Sequence, residues 1–418
     1  MKAIRKLSSE GEFIAFADIV GNAYPGFNIE TEEQKKKFVE NSMKVQEENP
    51  FVTFYGVFEE DNLLGGMRYH DFKMNLLSTK IKVGGVGLIG VDLLHKKEKV
   101  AKAIMTKFIE DYRSQGISMA ILYPFNPEFY KKMGFGFGTS ISQYRVKPSN
   151  LPKGKSKSNI KHIRGNDAKK LLDCYTRIYE KTNGLIEKYE REFQLLFNNQ
   201  KMKVVGYKKN NEIKGYMVFE FKPSHDKNIF VNDIIVNQLL FEDQESLMEL
   251  MTFLNSQSDQ INNVIFNIQD ENFRFILEDP RNDSSNILTP VYHESSMQGT
   301  GIMYRVIDLK GIINELRNHN FNNESCKLKI TIRDNFVPDN DGSIIVDFNN
   351  GFPTIVDNKE YDVEINLDIA DFSSLITCTV NFKSLYKYGR ALISDESYLK
   401  KVNNIFASDE KPICMTMF

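Results

Sequence analysis

This sequence has no tryptophan, four cysteines in 418 residues and almost no excess charge, with 54 Lys and Arg against 56 Asp and Glu. Each shortage closes off a class of function. A formal charge of -2 argues against a nucleic-acid binder, which needs a basic surface to displace counterions. Cys174, Cys326, Cys378 and Cys414 are scattered with no C-x-x-C spacing, so neither a zinc site nor a redox pair is indicated. His70, His95, His162, His225, His293 and His319 form no pair at ligand spacing, and no Ser–His–Asp set can be built from them; no metal is expected. Long apolar runs are also missing. GGVGLIGV, residues 84–91, is the longest, far short of the ~20 residues that cross a bilayer. The basic N-terminus is followed by Glu10, Glu12 and Asp18, which interrupt what would have to be the apolar core of a signal segment. The expectation is a cytoplasmic protein with reduced thiols, partnered by neither nucleic acid nor membrane.

What is present is enough apolar material for several cores, 41% of residues, in a chain long enough for two to four domains. Two stretches read as linkers: KPSNLPKGKSKSNIKH, residues 147–162, and DPRNDSSNILTP, residues 279–290. They divide the chain into domains 1–148, 149–290 and 291–418. The first two share a repeat. FYGVFEEDNLLGGM, residues 54–67, aligns without gaps with VVGYKKNNEIKGYM, residues 204–217, matching Gly56 to Gly206, Gly65 to Gly215 and Met67 to Met217. Each copy reads as two strands around a polar hairpin turn. MTKF at 105–108 and MTFL at 251–254 both fall in helical patterns, so the second domain reads as a copy of the first.

Within the first copy an N-terminal helix precedes hairpin strands and a β-rich run over 80–94. Val100, Ile104, Phe108 and Tyr112 then stand four apart, one apolar face of a helix over 99–113. SMAILYPF, residues 118–125, reads as a buried strand, and PEFYKKM, residues 127–133, as a short helix opened by proline. In GFGFG the alternating Gly134, Gly136 and Gly138 predict a strand with one bare face open to close approach, and Phe135 and Phe137 turned into the core. EINLDIADFSSLIT, residues 364–377, carries strand and helix patterns in the third domain.

A strand feeding a basic helix start, then a strand feeding a short tyrosine-bearing helix, resembles the GNAT acetyltransferase fold. In that fold two strands splay apart around the pantetheine arm of acetyl-coenzyme A, and the pyrophosphate sits on the N–H groups of the next helix start. The resemblance puts the strand at Leu88 to Val91, with Ile89, Gly90 and Val91 along the cofactor, and the cradle at HKKEKVA, residues 95–101, through Lys96, Lys97, Lys99, Val100 and Ala101. Lys99 stands where the family signature has its first glycine, and lysines replace arginines. The three-part plan resembles the enhanced intracellular survival (Eis) acetyltransferases more narrowly: FYKKMGFGFG, HKKEKVAKAIM, MYRVIDLKGIINEL at 303–316 and the last residue, Phe418, carry the likeness. It implies two GNAT-like domains, the second without a cradle because acidic residues follow its strand, and a C-terminal α+β domain like sterol carrier proteins.

The same resemblance implies the chemistry. Tyr130 would protonate the departing thiolate, with Tyr123 as fallback, and the carboxylate of Phe418 would be the general base. The apolar tail KPICMTMF, residues 411–418, independently suggests an anchored end, and burial would raise that carboxyl above its usual pKa of roughly 3.5. Backbone N–H groups near Ile89 and Val91 would receive charge on the acyl oxygen, Asn126 would touch the cofactor or serve as a turn residue before Pro127, and His95 would neighbour the coenzyme. The implied acceptor is a primary amine, as in aminoglycosides, polyamines or lysine side chains. Met417 and the stretch AYPGFN, residues 23–28, supply no carboxylate for a cationic acceptor, which leaves Glu30 and Glu32. Family members form homo-oligomers, often hexamers. The alternative is a non-catalytic coenzyme A or ligand-binding protein that keeps the scaffold.

Overall fold

The computed structural model describes residues 2–225, 228, 230–357 and 359–418. Its first elements are β1 (Ala3–Lys6), α1 (Glu10–Ala23), α2 (Glu32–Glu48), β2 (Val52–Glu59), β3 (Asn62–Leu76), β4 (Thr79–Val91), α3 (Val100–Ser114), β5 (Met119–Leu122), α4 (Pro127–Lys131) and β6 (Gly136–Phe137). Ser9 with Glu12 and Thr31 with Gln34 form reciprocal capping boxes that start α1 and α2 where the chain leaves extended backbone.

Next come β7 (Ile141–Val146), β8 (Ile160–His162), α5 (Ala168–Tyr179), α6 (Glu190–Asn198), β9 (Lys203–Lys209), β10 (Glu212–Pro223), β11 (Asn232–Phe241), α7 (Gln244–Asn255), β12 (Ile261–Ile268), β13 (Ile287–Leu288), β14 (Tyr292–His293) and β15 (Ser296–Gly299). The chain closes with β16 (Met303–Val306), α8 (Leu309–Glu315), β17 (Cys326–Arg333), β18 (Gly342–Asn349), β19 (Phe352–Val356), β20 (Val363–Asp368), α9 (Ile369–Ile376), α10 (Phe382–Lys387), β21 (Ala391–Ile393) and α11 (Leu399–Ile405).

Two compact units result, and neither is contiguous in sequence. The first holds residues 1–138, 302–410 and 416–418; the second holds 139–301 and 411–415. In the first unit one sheet runs β1-β2-β3-β4-β5-β16-β6 and another runs β19-β18-β17-β20-β21. β16 lies between β5 and β6, antiparallel to both, so a strand from late in the chain completes the N-terminal sheet. The α3 side of this sheet buries Ile104, Phe108 and Tyr112 with Tyr130 and Phe135, while α1 and α2 cover the other side with Phe13, Phe16 and Val20.

Glycines allow those approaches. A Cβ on Gly66 would stand 2.7 Å from the Phe16 ring, one on Gly90 2.8 Å from Ile19, and one on Gly84 2.7 Å from the Tyr112 ring. The GFGFG stretch behaves partly as predicted. Gly136 lets α9 approach, since its Cβ would lie 2.0 Å from the Ala370 carbonyl, and Phe135 is buried. Two expectations for the stretch fail. Gly134, with φ 83°, ends α4 in the left-handed region instead of joining a strand, and Phe137 is 38% exposed, its ring 4.7 Å from the Lys131 ammonium. The strand pairing covers only Gly136 and Phe137, too short to impose an alternation across the stretch.

In the second unit the sheet order is β15-β7-β12-β11-β10-β9-β8. β9 and β10 form the hairpin that repeats β2 and β3 at an offset of 150, turning through Asn210 and Asn211, both left-handed as a two-residue hairpin requires. α7 occupies the place of α3, but Asp243 accepts from the Ser246 N–H at 2.8 Å and so fills the helix start with the protein's own carboxylate.

Candidate active site

β4 and β5 run parallel and pair from Val83 and Met119 to Val86 and Leu122. There β5 ends, while β4 continues to Val91. Among the described residues, β4 beyond Val86 pairs with β3 alone, so its far edge presents unpaired backbone donors and acceptors. The open edge is also kinked. Gly87 faces Arg68 and Gly90 faces Gly66, which sets Leu88 and Ile89 against Met67 alone, and Leu88 bends there with φ 48°. Just past α1, the Tyr24 hydroxyl donates to the Ile89 carbonyl at 2.8 Å and pins the kinked segment.

A basic helix start follows. α3 begins at Val100 with Lys99 as N-cap and no side-chain cap, which leaves the first N–H groups of the helix, Val100 and Ala101 among them, without intrahelical acceptors. Lys99 holds φ 61° and Lys97 φ 70°. The lysine in the glycine's place therefore keeps the left-handed backbone a glycine would adopt, at ~1–2 kcal/mol for a residue with a Cβ. Lys96, Lys97 and Lys99 are exposed cations around the uncapped start, an arrangement suited to a pyrophosphate. His95 pairs with Glu98 at 3.1 Å.

Beyond the end of β5, α4 carries Tyr130. Asn126 caps this helix by accepting from the Phe129 N–H at 3.2 Å, so its side-chain oxygen has the turn-residue role and only its NH2 group remains for an outside partner. The sequence pattern favours Phe129 as the core residue, but the helix turns the other way: Phe129 is half-buried and Tyr130 is buried. The Tyr130 ring meets Phe125, Phe129 and Phe135 edge-on. Burial, and secondarily the nearby Tyr24, push the Tyr130 phenol well above its usual pKa, so it stays protonated. Among the described residues its hydroxyl makes no hydrogen bond.

The tail reaches the same sheet. A Cβ built on Gly87 would lie 3.1 Å from the Phe418 carboxyl carbon and oxygen and 3.9 Å from Nη2 of Arg68. The Phe418 ring sits against His70, Phe72 and Tyr123 at centroid distances of 5.4, 5.0 and 5.3 Å. Phe418 is half-buried, less enclosed than the apolar tail predicts. Glu30 and Glu32 are exposed, Glu32 in the first turn of α2.

The predicted residues Ile89, Gly90 and Val91 thus lie on the open β4 edge, Lys96 to Ala101 at the helix start that follows it, and Tyr130 just past the neighbouring strand. Sequence reasoning missed Gly87, Arg68 and Tyr24. Gly87 lay inside a glycine-rich run that read only as β-rich, and Tyr24 sat in a stretch searched for carboxylates.

Residues 3–138 match an acetyltransferase (GNAT) domain, residues 184–306 a second acetyltransferase (GNAT) domain, and residues 312–415 a sterol carrier protein domain. The chain thus carries two acetyltransferase (GNAT) domains followed by a sterol carrier protein domain. The fold recurs over the whole chain in a GCN5-related N-acetyltransferase from Kribbella flavida, at TM-score 0.80 and 14% identity, covering 100% of this chain and 98% of that one. A probable N-acyltransferase from Enterococcus faecalis matches at 0.79 and 17%, and Eis1 from Mycobacterium abscessus at 0.77 and 16%, each covering 100% of both chains. In sequence the chain is 27% identical over 85 residues to an uncharacterized N-acetyltransferase of Streptomyces avermitilis, a match spanning 20% of this chain and 21% of that protein. Among the described residues no helix is long and apolar enough to cross a membrane.

Proposed function

We propose that the protein transfers the acetyl group of acetyl-coenzyme A to a primary amine, in the manner of the Eis-like acetyltransferases. The observation that carries this reading is the approach of the Phe418 carboxyl to the sheet face at Gly87, the residue at which β4 loses its β5 partner, beside the strand end that leads to Tyr130. The thioester supplies an acyl carbon activated toward amines. Ile89, Gly90 and Val91 offer the pantetheine arm an unpaired strand edge, and the helix start with Lys96, Lys97 and Lys99 offers the pyrophosphate N–H donors and positive charge. The Phe418 carboxylate takes the proton that the amine loses as its N–C bond forms. Tyr130, kept neutral by burial, gives its proton to the sulfur as the C–S bond breaks. Backbone N–H groups beside the Leu88 bulge receive the charge on the acyl oxygen.

The alternative of a non-catalytic binder rests on Lys99 standing where the signature has glycine; Lys99 holds a left-handed backbone of the kind open to glycine, so the substitution alone does not favour that alternative. A thiol-release assay with acetyl-coenzyme A and a panel of primary amines tests the proposal: polyamines, aminoglycosides, arylalkylamines and lysine peptides. Turnover with one class supports an enzyme and names its acceptor; micromolar binding of acetyl-coenzyme A with no turnover on any class supports the binder.

A further inference from the structure

Arg68 is a half-buried cation with no acidic side chain to match it among the described residues. Burial lowers its pKa to about 10, which still leaves it charged at neutral pH, and among the described residues no Asp or Glu pairs with it. A buried charge without an opposite partner is costly and uncommon. Its surroundings are specific. Arg68 lies directly across from Gly87 in the β3–β4 register, and its Nη2 points to the space where a Gly87 side chain would stand. The carboxyl group of Phe418 borders that same space. The other end of the guanidinium is fixed: Nε donates to Nε2 of His70 at 2.8 Å. His70 accepts because it is neutral, its pKa pushed down first by burial and then by the Arg68 charge. The imidazole in turn stacks on Phe72 at 5.1 Å and meets the Phe418 ring.

We propose that Arg68, oriented by His70, is the positioning residue for the Phe418 carboxylate, setting where that base stands over β4 at Gly87. The inference rests on the terminal carboxylate being the base. It assigns the Arg68–His70 pair to the two ends of one residue, the guanidinium toward the carboxylate and the imidazole against the ring. The ionisable side chains identified around Phe418 are Arg68 and His70 from β3 and Tyr123 from just past β5; from β4 the carboxyl meets Gly87. A cation there favours the ionised carboxylate, so the base is available to lower pH than it would be alone.

The test is a cycle of Arg68→Met with a chain extended by one residue past Phe418, read by kcat, KM for amine and binding of acetyl-coenzyme A. The proposal expects Arg68→Met alone to lower kcat about 10- to 100-fold, as loss of positioning does. Binding of acetyl-coenzyme A should be unchanged, and the acid limb of the kcat profile should move to higher pH. In the extended chain, where the carboxylate has already been displaced, Arg68→Met should cost little more. Arg68→Lys, which keeps the charge and lacks the fork to His70, should fall between, and it carries the test if Arg68→Met fails to fold. Equal losses on both backgrounds, or a loss confined to acetyl-coenzyme A binding, would overturn the positioning role. The extended chain alone reports on the base: if its kcat matches the parent, the base assignment fails first, and the proposal with it.

Discussion

The carboxyl group of Phe418 borders the space that a side chain on Gly87 would fill, 3.1 Å from that missing Cβ. Substituting Gly87 with alanine therefore tests the site sterically. Gly87 is outside the left-handed region, so alanine brings no backbone strain, only a contact that moves the tail by a few tenths of an ångström. We expect kcat to fall about tenfold with the melting temperature nearly unchanged, since small misplacements of reacting groups carry such costs. Steady-state kinetics beside thermal unfolding checks both halves.

Tyr130→Phe removes the proposed acid and no hydrogen bond to a described residue. The expected loss is about 10²- to 10⁴-fold in kcat with acetyl-coenzyme A binding and stability retained. Because burial raises the phenol's pKa, the parent enzyme should show no alkaline fall in kcat assignable to Tyr130 below about pH 10. Full turnover in Tyr130→Phe would move the role elsewhere, with Tyr123 the next residue to test.

Lys99 combines a charge with a strained backbone, and two substitutions separate them. Lys99→Ala keeps the left-handed burden and loses the charge, so acetyl-coenzyme A should bind about three- to tenfold more weakly, with less dependence on salt. Lys99→Gly also relieves ~1–2 kcal/mol of strain but gives the unfolded chain more freedom by ~1 kcal/mol, so its stability should stay within about 1 kcal/mol of the parent. Titration calorimetry at two salt concentrations and denaturant unfolding read these effects.

Glu315, on α8, accepts from the Ser118 hydroxyl at 3.0 Å, and burial raises its pKa to about 7. A carboxyl whose folded pKa exceeds its unfolded value stabilises the fold while protonated and loses that contribution as pH rises through the folded value. The window runs from roughly pH 4.3, the usual value for Glu, to about 7. Glu315→Gln should therefore raise the melting temperature at pH 8 relative to the parent and give little or no gain at pH 5. An equal shift at both pH values would show that the carboxyl is not titrating in that range.

Legibility in the sequence followed the range of the interactions. α3 declared itself through Val100, Ile104, Phe108 and Tyr112, and α4 through Pro127 at its first turn, because periodicity and helix-start residues are local signals. The Gly56/Gly206 and Gly65/Gly215 correspondence exposed the duplicated hairpin for the same reason. What stayed hidden is set by distant partners. Met303–Val306 is a four-residue stretch interrupted by Arg305, and nothing local shows that it inserts between β5 and β6. The left-handed Leu88 depends on how β3 pairs with β4, a register that no propensity of leucine reveals. Arg68 carries no local signal in the sequence. Its meaning comes from facing Gly87 and from a tail 350 positions later in the chain.

Whether the terminal carboxylate is the base is decided by single-turnover acetyl transfer by the parent beside a chain carrying one added residue after Phe418. With the carboxylate as base, the extended chain should bind acetyl-coenzyme A with the parent's affinity and transfer its acetyl group at least about 100-fold more slowly, the scale of a lost general base. Transfer at the parent's rate by the extended chain would contradict it.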